Sequence, residues 1–122
     1  MTHQRAIITI DHHQAVIISL ADESHTVKNV RLHSHETPQH GAAVRDQHEF
    51  YAEVADSLKG LSALLIAGHR TGLDDFKHYV DKHRPALAEL IIGYETIDSP
   101  TEGQLVALAR DAFEKHERLA HS

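Results

Sequence analysis

Apolar residues in the first third of the chain fall into three short runs separated by polar links. Ala6-Ile7-Ile8-Thr9-Ile10 and Ala15-Val16-Ile17-Ile18-Ser19-Leu20 are rich in β-branched residues and flank Asp11-His12-His13-Gln14. Two such runs joined by a short polar link predict a hairpin. After the turn at Ala21-Asp22-Glu23-Ser24, the stretch from Thr26 to Leu32 places Val and Leu near every second position. That alternation predicts a strand with one wet face. The opening reads as a three-stranded antiparallel meander. From Ser34 to Asp46 the pattern stops, and the segment holds Pro38 and Gly41. A connection this much longer than the usual median of about 4–6 residues marks a functional or mobile loop.

Helical and strand patterns then alternate. Asp46 with Glu49 three residues on forms a capping box. Phe50, Val54 and Leu58 follow at i, i+4, i+8, with Tyr51 and Ala55 alongside and Gly60 as the stop. Ala63 to Ala67 is continuously apolar, as expected of a strand covered on both faces. Thr71 and Asp74 resemble a second capping box, ahead of a helical face of Phe76, Tyr79, Val80 and His83. Arg84-Pro85 interrupts, residues 86–90 make one more turn, and Ile91 to Ile97 is the last strand. Ser99-Pro100-Thr101-Glu102 is a strong helix start, with Ser at N-cap, Pro at N1 and Glu at N3. Leu105, Leu108, Ala109, Ala112 and Phe113 supply the final buried stripe. The polar tail from about Glu117 is expected to fray.

The order β-β-β-α-β-α-β-α predicts an α/β fold. Strands joined through helices become parallel by right-handed crossover. The simplest assembly is a mixed five-stranded sheet with helices on its faces, a ribonuclease H-like arrangement. One domain over residues 1–122 is expected.

Composition adds exclusions. With 41% hydrophobic and 25% charged residues, the chain has the make-up of a soluble globular protein. No run approaches the roughly 20 apolar residues of a membrane span, and the N-terminus lacks a signal-peptide pattern. A cytoplasmic protein with no membrane partner is expected. The absence of cysteine removes disulfides, thiol catalysis and Cys-ligated zinc together. The formal charge of -6 makes the chain a poor nonspecific binder of nucleic acid. Its 13 histidines, with a reference pKa of roughly 6.5, control that charge in mildly acidic solution.

The candidate chemistry is dispersed. His33 and His35, two apart on a strand, would point to one side and could share a metal. His12 and His13 adjoin Asp11, and His40 and His48 flank the long loop. No HExxH is present, and His69, His78, His116 and His121 read as solvated surface residues; no resident metal or cofactor is expected. A two-metal nuclease needs several carboxylates converging at strand ends. Only Asp11 and Asp98 follow strands, and Asp11 is equally suited to a turn. Gly68-His69-Arg70-Thr71-Gly72 links a strand to a helix and could present backbone N–H groups to an anion. It lacks the GxxxxGK[ST] pattern, so a plain turn is the simpler reading. Lys77, His78, Lys82, His83 and Arg84 form a local basic patch, either a solvated helix face or a small RNA-facing surface.

Longer motifs carry a resemblance. Phe50-Tyr51-Ala52-Glu53-Val54-Ala55-Asp56-Ser57-Leu58, then Leu64-Leu65-Ile66-Ala67-Gly68, then Gly93-Tyr94-Glu95-Thr96-Ile97-Asp98-Ser99-Pro100-Thr101-Glu102-Gly103-Gln104-Leu105-Val106-Ala107-Leu108-Ala109-Arg110 resemble the short bacterial proteins called translational machinery proteins. These are similar to the central domain of archaeal and eukaryotic class-1 release factors and of Pelota. The resemblance spans nearly the whole chain and is most specific from Asp98 to Arg110. It implies the ribonuclease H-like fold and a role at the ribosome. In release factors the loop after the antiparallel strands carries Gly-Gly-Gln, which helps water attack the peptidyl-tRNA ester. Here that loop has Gln39 followed by His40-Gly41, without the two glycines that reach strained backbone conformations cheaply. The Gly103-Gln104 pair falls inside a helix start and does not replace it. Gly68-His69-Arg70 stands where the family carries Gly-Pro-Gly, Leu73 where it has Lys, and Ser99 where it has His.

The leading expectation is a noncatalytic, translation-associated protein docking at the ribosome, tRNA or a protein partner. The expected contacts are His35, Gln39, His40 and Arg45 of the loop, with Lys77, Lys82 and Arg84 of the basic helix. The alternatives are an esterase or peptidyl-tRNA hydrolase using Gln39 or a loop His to position water, and a His-based metal or pH-responsive module. The sequence leaves open a homodimer through a strand edge or helix face.

Overall fold

The structure, a computed structural model, describes residues 4–33 and 42–120. Three strands, β1 (Arg5–Ile10), β2 (Gln14–Leu20) and β3 (His25–Arg31), are followed by α1 (Ala42–Asp56) and β4 (Ala63–Gly68). Then come α2 (Arg70–His83), the single turn α3 (Pro85–Ala88), β5 (Ile91–Thr96) and α4 (Glu102–Ala120). The sheet order is β3-β2-β1-β4-β5. β1 pairs antiparallel with β2, and β2 with β3, as a meander. β4 pairs parallel with both β1 and β5. The expected α/β architecture, a mixed five-stranded sheet with helices on both faces, is what the chain forms.

Alternation along the strands divides the apolar residues between two cores. Ala6, Ile8 and Ile10 of β1 with Leu64 and Ile66 of β4 face α1 and α2, against Phe50, Tyr51, Val54, Leu58, Phe76 and Val80. Ile7, Ile18, Leu65 and Ala67 face the other way and are covered by α4 through Leu105, Ala109 and Phe113. Central β1 and β4 are buried on both faces, which is why they read as unbroken apolar runs.

Four local expectations are corrected. α1 begins at Ala42, so Asp46 is a buried residue within the helix and not its cap, and the loop expected over 34–46 is shorter by the helix's opening turn. Ala42 and Ala43, good helix formers, extend the helix ahead of its apolar stripe. α2 starts at Arg70 with His69 as N-cap and no side-chain cap, so Thr71 and Asp74 do not form a capping box. The cap of α4 lies two residues later than Ser99. The Thr101 Oγ1 accepts from the Gln104 N–H (3.1 Å), and the Gln104 Oε1 accepts from the Thr101 N–H (2.8 Å). This reciprocal pair is the capping box, while Ser99 takes a positive φ of 45° in the approach. Lastly, the tail is helical to Ala120, with Glu117 held by Arg5 at 2.7 Å.

The glycines after β4 answer to packing. A Cβ on Gly68 would lie 2.5 Å from the Ile10 carbonyl oxygen, and one on Gly72 would lie 3.2 Å from the same atom. The turn is glycine-rich because the β1 backbone passes under it, which supports the plain-turn reading over an anion loop.

Candidate binding cleft between the first two helices

α1 and α2 lie side by side on one face of the sheet, and aromatic side chains at helical spacing form their seam. Phe50 and Tyr51 of α1 meet Phe76 and Tyr79 of α2. Tyr51 lies 5.4 Å, centroid to centroid, from both Phe76 and Tyr79. Above this buried layer the seam turns polar. His48, one turn before Tyr51, makes edge contacts with Tyr79 (5.8 Å) and His83 (5.7 Å). His83, one turn after Tyr79, lies against it at 5.0 Å with a 39° tilt. These i, i+3 and i, i+4 spacings place each pair on one helical face.

Around these rings the two helices leave a cleft of ≈380 Å³. Its lining includes Gln47, His48 and Tyr51 from α1 and Asp75, His78, Tyr79, Lys82 and His83 from α2. Tyr51 is only 3% exposed and forms the floor. Among the described residues, neither the Tyr51 hydroxyl nor the Gln47 side-chain N–H₂ has a hydrogen-bond partner, although both atoms are buried. Buried polar groups are nearly always paired, so two orphan donors carried by residues that line one cleft are informative. Burial, and then the nearby carboxylates of Asp75 and Asp11, push the Tyr51 phenol up to about 12. The cleft therefore holds a neutral phenol.

The sequence-derived candidates distribute unevenly. His35, Gln39 and His40 lie outside the described residues. Arg45 is exposed early in α1, on a shallow surface shared with His48, Glu49, Tyr79 and His83. Lys82 lines the cleft. Lys77 pairs with Asp81 at 2.9 Å, one turn along α2. Arg84 pairs with Asp56 at the end of α1, also at 2.9 Å; that contact, and next the Tyr79 phenol, raise its guanidinium further above its ordinary pKa. Two of the three α2-side cations are thus already balanced by carboxylates, and Lys82 is the one directed to the cleft.

Asp11 accepts from the backbone N–H groups of His13 and Gln14 (2.7 and 2.8 Å), which makes it a turn residue. The neighbouring His12 bonds Asp75 at 2.6 Å and ties the β1–β2 turn to α2. Among the described residues, no three His, Asp or Glu side chains converge to hold a metal ion. Nor is any described helix long and apolar enough to cross a membrane. Local sequence pattern does not reveal the cleft, because it does not pair α1 with α2. The available signal was two aromatic–imidazole pairs, His48/Tyr51 and Tyr79/His83, at helical spacing.

No family model matches the sequence. No curated protein matches it either. Solved structures do share its fold. Pelota from Archaeoglobus fulgidus aligns over 97% of this chain with a TM-score of 0.66 at 20% identity. Pelota from Thermoplasma acidophilum aligns over 97% with a TM-score of 0.60 at 16% identity. The archaeal translation termination factor aRF1 aligns over 96% with a TM-score of 0.62 at 15% identity. The chain spans 35%, 40% and 40% of those three proteins, respectively.

Proposed function

We propose that this chain is a noncatalytic, translation-associated protein that docks at the ribosome, at tRNA or at a protein of the translation apparatus. The observation that carries the proposal is the match of nearly the whole chain to one unit of a translation termination factor and of two Pelota proteins. The docking surface is the loop of His35, Gln39 and His40 together with Arg45, the α2 cations Lys77 and Lys82, and Arg84 just after α2. Docking is favoured over ester hydrolysis because the loop sequence lacks the paired glycines that a release-factor loop uses to reach its working conformation. With a formal charge of -6, attachment depends on local contacts and not on a broad cationic field.

Co-sedimentation of the untagged protein with ribosomes at two salt concentrations tests this. Salt-sensitive co-migration that weakens on Lys82→Gln is expected. Absence from all ribosomal fractions at low salt would refute the docking reading. Turnover of a charged-tRNA ester that is lost on Gln39→Ala would refute the noncatalytic part.

A further inference from the structure

We infer that the cleft between α1 and α2 receives an unpaired base of single-stranded RNA, stacked on the His48–Tyr79–His83 cluster and read at its edge by Tyr51 and Gln47. The inference rests on the translation-associated reading only for the choice of an RNA strand over a free nucleotide.

Three features point to this ligand class. The first is shape: three mutually touching rings border an open cleft of ≈380 Å³, and His48 and His83 are exposed. Sequence-tolerant capture of single strands depends on such platforms, since every base offers a π-face. The second is the pair of unpartnered donors. A buried Tyr51 hydroxyl and a buried Gln47 amide nitrogen call for acceptors, and a base edge supplies ring nitrogens and carbonyl oxygens within one planar group. Asp75, on the same wall, is an acceptor for an exocyclic amine. The third is the placement of charge. Lys82 on the wall and Arg45 on the adjoining surface put cations beside the stacking rings.

The acidic charge of the chain sharpens the case. A protein at -6 gains nothing from long-range attraction to phosphate. If it touches RNA, short-range stacking and edge contacts must supply the affinity. The cleft provides both kinds of group.

The test uses fluorescence anisotropy of labelled polyadenylate and polyuridylate strands, with an abasic ribose-phosphate strand of the same length as the comparison. The wild-type protein is expected to bind a base-bearing strand at least about tenfold more tightly than the abasic strand, the order of one stacked base. His48→Ala, at an exposed position, should remove most of that difference. Tyr51→Phe, which keeps the buried ring, should weaken base-bearing strands several-fold and leave the abasic strand unchanged. Lys82→Gln should lower the salt slope of log K by about 0.7, one phosphate contact. Far-UV circular dichroism and thermal melting establish that each variant is folded. Equal binding of base-bearing and abasic strands overturns the inference, as does wild-type affinity in His48→Ala and Tyr51→Phe together. Co-sedimentation of the same variants separates the two proposals. Ribosome binding without any strand binding defeats the cleft inference and leaves docking standing. Base-dependent strand binding without ribosome binding does the reverse.

Discussion

Replacing Gly68 with Ala tests the central packing of the sheet. Gly68 ends β4, and its carbonyl accepts from the Ile97 N–H at 3.0 Å. A Cβ built there lies 2.5 Å from the Ile10 oxygen and 3.6 Å from that residue's carbonyl carbon and nitrogen. The obstacle is backbone of the central strand β1, so no rotamer change relieves it. The φ of +154° adds a conformation that side-chain-bearing residues rarely adopt. Overpacking a tight site costs about 1–3 kcal/mol, and the unfavourable backbone conformation about as much again. The expected loss is on the order of 2–6 kcal/mol. A chain of this length has a total stability of roughly 6–18 kcal/mol. The melting temperature should fall by roughly 6–30 °C. The assay is urea denaturation followed by far-UV circular dichroism, with an unchanged m-value as the condition for reading the midpoint as stability. Gly103→Ala is the internal control. Nothing lies within 4 Å of a Cβ there, in the first turn of α4, so it should gain about 0.4–1 kcal/mol. A Gly68→Ala protein within about 0.5 kcal/mol of wild type would refute the steric reasoning, as would the two variants shifting in the same direction.

Three further outcomes are expected. Thr101→Ala should cost about 1 kcal/mol of stability in thermal melts, the usual worth of an N-cap, and Ser99→Ala less than half of that; the opposite ranking would return the cap to Ser99. In alkaline absorbance titration of the native protein, two of the three tyrosines should ionise only near pH 12, because burial, and then nearby Asp carboxylates, hold the Tyr51 and Tyr94 phenols there. Since the folded state keeps these protons longer, their contribution to stability is complete below about pH 10 and lost as pH rises towards 12; a single step near 10 would contradict the assignment. A double-mutant cycle on Arg84 and Asp56, whose side chains are 34% and 54% exposed, should give a coupling of about 0.2–1 kcal/mol that shrinks with added salt; a salt-independent coupling well above that range would show a pair shielded from solvent.

Sequence pattern located every strand, because the unbroken apolar runs of residues 6–10, 15–20 and 63–67, the alternation of 26–32 and the β-rich stretch 91–97 are local properties of the chain. It also located the helix stripes of Phe50, Val54 and Leu58 and of Leu105, Ala109 and Phe113. Helix boundaries were less legible. Ser99-Pro100 satisfies the start pattern, but the Thr101–Gln104 pair satisfies two backbone groups at once and sets the start later. Asp46 looked like a cap because its spacing to Glu49 fits, while Ala42 and Ala43 carry no apolar signal of the helix that already includes them. The cleft was illegible for a different reason. His48 and His83 are 35 positions apart and become neighbours only once α1 and α2 dock on the same face of the sheet. The direction of each cation was likewise hidden, since Arg84 meets Asp56 only across the ends of two helices.

One layer of the sandwich is a single helix. Among the described residues, Ile7, Ile18, Leu65 and Ala67 are covered by α4, and Arg110 of that helix also grips the carbonyls of Asp22 and Ser24 at the β2–β3 turn. During vectorial synthesis, all five strands and the opposite helical layer precede α4. The growing chain therefore passes through a stage in which its sheet can pair fully while one apolar face stands open to water. Closing that face waits on α4, and a nascent chain stalled before α4 exposes an adhesive sheet surface of the kind that recruits chaperones or aggregates.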